Sequence, residues 1–312
     1  MAPEISIGRY TIQLSNTDKV LFPGDGITKG DLIDYYHKIA GTMLPYLEGR
    51  PVTMHRFPDG IGEEGFYQQE ISDYFPDWVE RIAVKKQDGS VTHAICQNAA
   101  TLVYLANQAC ITPHVWLSRK AKLDCPDVMI FDLDPPAEDF APVRDAARSL
   151  RGFLKELGLE SFVKTTGSRG LHVVVPLDRN ADFDEVRDFA HGVAAALADR
   201  ESEALTVEQR KDKRKGRVFV DYLRNSYGQT AVAPYAVRAR AGAPIATPID
   251  WHELGDKNIT SQSFNIENIF RRLSRKEDPW QRTWHRSHSV SEARQKLDDM
   301  AKAAGKPDGE NM

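Results

Sequence analysis

The run Val128-Met129-Ile130-Phe131-Asp132-Leu133-Asp134-Pro135-Pro136 constrains the fold more than any other stretch of this chain. An apolar run of this length, closed by two prolines, predicts a buried strand. Side chains alternate along a strand, so Asp132 and Asp134 project from one face while Leu133 packs on the other. Two ionised carboxylates held close repel each other and are costly to desolvate, and a divalent cation between them relieves both penalties. The plainer reading of an isolated Asp-x-Asp is a pair of exposed acids at a strand end. The rest of the chain has to decide between the two.

At 312 residues, 41% hydrophobic and 28% charged, the chain can bury a sizeable core as one large domain or two packed lobes. A net charge of −4 does not mark a nucleic-acid binder, although an average can hide a basic face opposite an acidic metal site. No early segment has the apolar core of a signal peptide and no run reaches membrane-spanning length, so no membrane partner is expected. Cys96, Cys110 and Cys125 lack Cys-x-x-Cys spacing. That argues against structural zinc and a disulfide framework and suits a reducing cytoplasm.

Residues 1–27 read as short strand and loop carrying Asn16 and Lys19. Thr28 is a predicted N-cap with Asp31 in the first turn, ahead of a helical stripe of Leu32, Tyr35 and Ile39. Lys29 opens that helix, where a cation opposes the macrodipole. It is either solvated or, beside free backbone N–H groups, a phosphate holder. Residues 51–67 predict a strand and then a glycine-rich loop with Phe66 and Tyr67. Adjacent aromatics commonly split between core and surface, but they can also form a platform for an unpaired base, worth about 1–3 kcal/mol per base. A hairpin is predicted over 81–97 around Asp88-Gly89. Lys86-Gln87-Asp88-Gly89 and Lys306-Pro307-Asp308-Gly309 match the four-residue pattern by which ligases attach AMP; both are read as accidental. A short helix over 98–109 leads to Thr112-Pro113-His114-Val115-Trp116, where His114 alone reads as a core histidine.

After the acidic strand, Val143, Ala147, Leu150, Leu154 and Leu157 predict a helix covering a sheet. Strands Phe162–Lys164 and Leu171–Pro176 flank Thr165-Thr166-Gly167-Ser168-Arg169-Gly170, which is either a plain hairpin turn or an anion loop. In the second reading backbone N–H groups, the Ser168 hydroxyl and Arg169 converge on phosphate. It is not a P-loop, because the spacing is wrong and a strand follows. Ser168 and His172 would meet one ligand only across a bend. A second helix carries Phe183, Val186, Phe189, Val193 and Leu197. The basic run 210–217 then abuts Val218-Phe219-Val220-Asp221-Tyr222, in which Asp221 is a third acid embedded in an apolar strand and needs a partner or a metal. Three strand carboxylates suffice for two divalent ions about 3.5–4 Å apart, the arrangement for phosphoryl or nucleotidyl transfer. Arg238 and Arg240 are expected on one face of an extended segment, suited to phosphates. Beyond about residue 290 the composition predicts a frayed tail.

FDLDP (131–135), TTGSRGLHVVVP (165–176) and VFVDYLRN (218–225), in this order, resemble the three catalytic motifs of archaeo-eukaryotic-type primase-polymerases. More closely they resemble the polymerase domain of bacterial ligase D, an enzyme of non-homologous end joining. NTDKVLFP (16–23), TKGDLIDYY (28–36), RPVTMHRFPDG (50–60), TPHVW (112–116) and TAVAPYAVRAR (230–240) are similar to the same subfamily, so the likeness spans roughly residues 10–285.

The resemblance implies an α+β primase-polymerase fold, with an RRM-like catalytic sheet and a mixed N-terminal module around a central cleft. The expected layout is one domain over 1–290, in modules of about 1–115 and 116–290, with 291–312 a flexible tail. By the same likeness Asp132, Asp134 and Asp221 are the catalytic metal ligands for two Mn2+ or Mg2+ ions. Ser168, Arg169, His172 and Arg238 meet the triphosphate of an NTP or dNTP, and His114 its sugar. Asn16, Lys19 and Lys29 hold a DNA 5′-phosphate across a gap or double-strand break, and Phe66 and Tyr67 pack on the template base. The second ring is Tyr where the family pattern has an aromatic pair, and it should still stack. Ku and a ligase are the implied protein partners, and the implied setting is the cytoplasm at the nucleoid. No ligase or phosphoesterase domain accompanies these residues, so the chain reads as a stand-alone member or an excised domain. Readings left beside this one are a primase-polymerase in another repair or priming role, a two-metal nuclease or phosphatase, and a non-catalytic DNA end-binding module.

Overall fold

The computed structural model describes residues 3–86, 88–137, 139–281 and 286–304. Two six-stranded sheets dominate it. The predicted acidic strand is Val128–Asp134, and Met129, Phe131 and Leu133 all turn to one side, where each is fully buried. Burial of such side chains stabilises by about 1.5–3 kcal/mol each. Their partners are the helices Ala141–Glu156 and Phe183–Arg200, whose apolar stripes complete this second core. The Asp182 capping box and Pro142 at the first turn fix where those helices begin.

Taken in chain order, Val128–Asp134, Ala141–Glu156, Phe162–Thr165, Leu171–Pro176, Phe183–Arg200 and Val218–Asp221 form a βαββαβ unit. Its strands lie fourth, first, third, second across the sheet, with short strands Leu205–Thr206 and Pro248–Ile249 on the two edges. This is the expected RRM-like arrangement.

The first sheet runs Thr230–Val232, Cys110–Trp116, Pro51–Arg56, Gly89–Ile95, Glu80–Lys86, with Phe66–Gln68 paired to Pro51–Arg56. Helices Lys29–Leu47 and Ala99–Asn107 pack behind it, the former started at the predicted N-cap Thr28, which forms a capping box with Asp31. The hairpin between Glu80–Lys86 and Gly89–Ile95 closes where Lys86 pairs with Gly89, as expected. Residues 306–309, the second Lys-x-Asp-Gly, lie outside the described residues.

Two expectations need correction. A cut near residue 115 does not separate the modules: Thr230–Val232 joins the first sheet, and Tyr235, Ile245, Ile269 and Trp280 sit in its core. The chain therefore returns to the N-terminal module after building the second. The tail from 291 is not frayed through its described part. Val290–Ala304 is a helix that buries Val290 and Ala293 against Phe183–Arg200 and places Arg294 over the Phe189 ring, at 5.8 Å. Its composition is charged, but one apolar stripe is enough to dock it. No helix among the described residues is long and apolar enough to cross a membrane.

Candidate active-site cleft

The second sheet has one face against its helices and the other toward the first sheet. On that other face Val128, Ile130, Phe162 and Val174 continue the inter-sheet core, and then the row turns charged. Strand register sets Asp132 opposite Asp221 on one side and opposite His172 on the other, with Lys164 opposite His172. Directly opposed residues share a face. Asp221, Asp132, His172 and Lys164 thus form one line across four strands, with Asp134 two positions beyond Asp132.

Electrostatics in this line are strained. Burial by itself would raise the Asp132 carboxyl, but His172 at 3.4 Å, Arg224 at 3.6 Å and nearby Lys164 overcome it and hold Asp132 below the usual carboxylate range. Asp134 and Asp221 go the other way. Burial raises both, and repulsion from Asp132 adds to it. Asp221 spends one oxygen on the Leu223 N–H at 2.8 Å. His172 is pushed down to about 4 by burial and by Lys164, against the pull of Asp132. Lys164 itself is buried, its Nζ has no hydrogen-bond partner, and burial with Arg238 lowers it to about 7.

Among the described residues no three acids, histidines or cysteines surround a single point at metal-holding geometry. The donor chemistry nonetheless fits a hard divalent cation: three carboxylates share one face, two are pushed toward protonation by their neighbours, and the buried Asp132 Oδ1 lacks a hydrogen bond.

The loop 166–170 is a hairpin turn and also a wall of the cleft. Thr166 Oγ1 accepts the N–H groups of Ser168 and Gly170, at 3.3 and 3.1 Å, so those two amides are not free for an anion as the sequence suggested. What remains for an anion is the Ser168 side chain, His172 and Arg238. Both glycines are needed here. A Cβ on Gly170 would stand 1.9 Å from Leu133 O, and one on Gly167 2.8 Å from Arg238 Cγ. Arg169 is half-exposed and points back at Asp134, at 3.9 Å, outside the cleft lining. Arg238 is half-buried in the lining and donates to Thr166 O at 3.2 Å. Arg240 does not share its face: the chain bends after Val237, and Arg240 is exposed.

The opposite wall comes from the first sheet. His114 pairs with Thr53 and with Val232, placing all three beside the cleft. His114 is not simply a packed core residue. Its Nε2 and the Thr53 hydroxyl are buried without partners, and burial, with Arg238 and His55 adjacent, pushes the imidazole well down. Phe66 and Tyr67 lie on a short strand, not in the predicted loop, and so face opposite ways. Tyr67 stacks on His55, with centroids 4.1 Å apart and planes 8° apart, and lines the cleft. Phe66 instead lies under the Arg56 guanidinium, at 5.5 Å. They are neighbours in sequence but not one flat platform.

The cleft measures about 440 Å³. A larger hollow of about 540 Å³, lined by Arg151, Trp251 and His288, contains none of the acidic row, so volume does not locate the site.

On the Phe66 side lie the predicted phosphate residues. Lys29 is buried, donates to Ser15 Oγ at 3.0 Å, and is lowered to about 8 by burial and by the charges of Lys19 and Arg56. Lys19 pairs with Asp59 at 2.5 Å, and exposed Asn16 turns the chain with φ 51°. The expected free amides are absent at this helix start. Lys29 N and Gly30 N already donate to Lys19 O and Thr17 O, both at 2.8 Å. Any anion here would be held by side-chain cations.

Sequence reasoning missed Arg56, Thr53, Lys164 and Arg224. Lys164 carried a usable signal, a lone cation inside an apolar strand, the mirror of the argument made for Asp221. Arg224 and Arg56 gave none, because only tertiary packing brings them to the acids and to Lys29.

An RRM-like sheet bearing three acids, closed by an antiparallel sheet over a cleft with cationic walls, defines a primase-polymerase type of domain. The family model described as LigD, primase-polymerase domain, matches residues 28–280. The chain belongs to that family. It is 33% identical over 257 residues to the multifunctional non-homologous end joining protein LigD of Mycolicibacterium smegmatis, covering 81% of this chain and 34% of that protein. With the bifunctional LigD of Bacillus subtilis the identity is 31% over 271 residues, 86% of this chain and 43% of the relative. The chain thus spans less than half the length of these relatives. The solved polymerase domain of Mycobacterium tuberculosis ligase D, in complex with DNA, superposes with a TM-score of 0.82 at 33% identity, covering 87% of this chain and 97% of that one.

Proposed function

We propose that this chain adds ribo- or deoxyribonucleotides to DNA primer 3′ ends at gaps and double-strand breaks during non-homologous end joining. The observation that carries the reading is the meeting of Asp132, Asp134 and Asp221 on one face beside a cleft lined by Ser168, His172, Arg238 and His114. The DNA in the solved relative supports the partner, and the LigD relatives support the pathway; Ku and a ligase as co-workers at the nucleoid belong to the proposal and rest on the family resemblance.

Asp132, Asp134 and Asp221 would hold two manganese or magnesium ions, which when bound activate the primer hydroxyl and neutralise the triphosphate. The protein's own part is positioning and fixed charge. Arg238 is braced by the Thr166 carbonyl and presents a guanidinium where negative charge builds on the phosphates. Ser168 and His172 donate to the same oxygens. His114, with Thr53, faces the sugar, and Tyr67, braced by His55, faces the base. Lys19 and Lys29, behind the sheet, neutralise the 5′-phosphate on the far side of the gap, with Asn16 shaping the loop that carries Lys19.

Asp132→Asn with Asp134→Asn tests this. Expected is a loss of primer extension by at least about 10³-fold, on the scale of lost electrostatic stabilisation at a reaction centre, with gapped-DNA binding retained. Extension by the double variant at wild-type rate overturns the assignment of these acids, and a wild type that binds gapped DNA but extends no primer favours a DNA end-binding module. Shortening of the primer would identify a nuclease.

A further inference from the structure

Arg224 is a residue to which neither the motifs nor the family likeness assigned a task. Its Nε lies 3.6 Å from Asp132 Oδ2, and its side chain is 43% exposed, facing the cleft. The mounting is rigid. The next residue, Asn225, is fully buried, and its side-chain amide both accepts from Ile130 N and donates to Ile130 O, at 2.8 Å each, with a third 2.8 Å bond to Tyr222 O. Asp221 clasps the same turn from the other end through Leu223 N. The short helical turn Leu223–Asn225 is therefore pinned to the acidic strand two residues before Asp132. A guanidinium held there sees all three acids, and it also sees His114 and Arg238 across the cleft.

We propose that Arg224 is the built-in counter-ion of the acidic row. It pairs with Asp132 until a divalent cation takes that carboxylate, and it is then released onto the phosphates of the incoming nucleotide. Three neighbouring carboxylates on one face without a cation would repel one another, and a tethered guanidinium relieves that repulsion. Arg is suited to both tasks, since its planar donor fork matches carboxylate and phosphate alike. The exposure of the side chain leaves it free to turn, while Asn225 keeps its backbone in place. Arg224 is a positioning residue toward Asp132 and a binding residue toward the nucleotide. The inference rests on the polymerase reading.

The test measures Mn2+ binding to the whole chain without nucleotide, by the electron paramagnetic resonance of free manganese, in wild type, Arg224→Met and Arg224→Lys. Removing a competing cation should make Arg224→Met bind manganese roughly three- to tenfold more tightly, the range of a half-exposed charge contact. Arg224→Lys should stay close to wild type. With nucleotide and primer present, Arg224→Met should raise the KM for nucleotide by a similar factor while kcat changes less. Unchanged manganese affinity in Arg224→Met, or a Lys variant that behaves like Met, overturns the counter-ion role. An unchanged KM overturns the transfer to phosphate. A wild type that binds no manganese sinks the polymerase reading itself, and the two failures are thereby distinguished.

Discussion

Lys29 shows how one buried cation ties a binding preference to pH. It is lowered to about 8 by burial first and by Lys19 and Arg56 next, so it loses its proton within an accessible range. A cation that must neutralise a 5′-phosphate works only when protonated. Preference for a 5′-phosphorylated gap over an unphosphorylated one should therefore weaken as pH rises from about 7 to about 9, around a group whose ordinary value is about 10.4. The bound phosphate itself pulls the pKa up, which shifts the fall to the high end of that window. Stability carries the opposite sign. With a depressed value in the folded state, the unfolded chain binds more protons between the two pKa values, so this group's contribution to stability rises with pH there. Lys19→Ala with Lys29→Ala should abolish the preference at every pH and spare extension of simple primer ends. A preference flat across that range in the wild type, or equal losses on both substrates, counts against the phosphate role.

At the scale of elements, the site depends on how closely the 166–170 hairpin lies over the acidic strand. Gly170 is the contact: a methyl group there would overlap Leu133 O, the carbonyl between Asp132 and Asp134. Gly170→Ala should destabilise by at least about 1–3 kcal/mol, the range for overpacking, and should cost more activity than stability because relief means moving the acids. Gly152→Ala is the control. It lies on the exposed side of Ala141–Glu156 with nothing near a new Cβ, so it should stabilise by roughly 0.5–1 kcal/mol. Denaturant melts and extension rates on the pair decide the matter, and equal behaviour of the two alanines would refute it. The hairpin's existence was legible from its flanking strands. Its use of amides was not, because the Thr166 hydroxyl competes for them through a bond that no spacing pattern announces.

For the whole molecule, an ion cluster ties the two sheets together beside the apolar core between them. Buried Arg50 follows the first long helix, and its Nη1 lies 2.6 Å from Asp127 Oδ1, next to the acidic strand. Arg119 closes the other side, its Nε 2.6 Å from Asp127 Oδ2 and its Nη1 donating to Glu48 O. Burial raises the Asp127 carboxyl, but Arg50 and then Arg119 more than offset it and hold it below its ordinary value. The stability it contributes is present above the unfolded pKa and lost as pH falls through the folded one. Asp127→Asn leaves Arg50 buried beside an uncharged partner and should cost about 3–5 kcal/mol in urea unfolding at neutral pH. A loss under about 1 kcal/mol, the value of a surface pair, would show that the cluster does not join the sheets.

Chain order and side-chain type sufficed for the local decisions in this protein. Alternation put Asp132 and Asp134 on one face, capping residues started the helices, and apolar stripes chose which sides they buried. These are short-range consequences of backbone geometry, readable wherever the period is intact. Tertiary structure decided what depends on register and return paths. It set Asp221 opposite Asp132, turned Phe66 and Tyr67 apart, brought Thr230–Val232 back into the first sheet, docked the helix after Val290, and carried Arg224 and Lys164 to the acids. Those outcomes hinge on strand pairing across long loops, where a shift of one residue would reverse every face, and only packing of the whole chain fixes that shift.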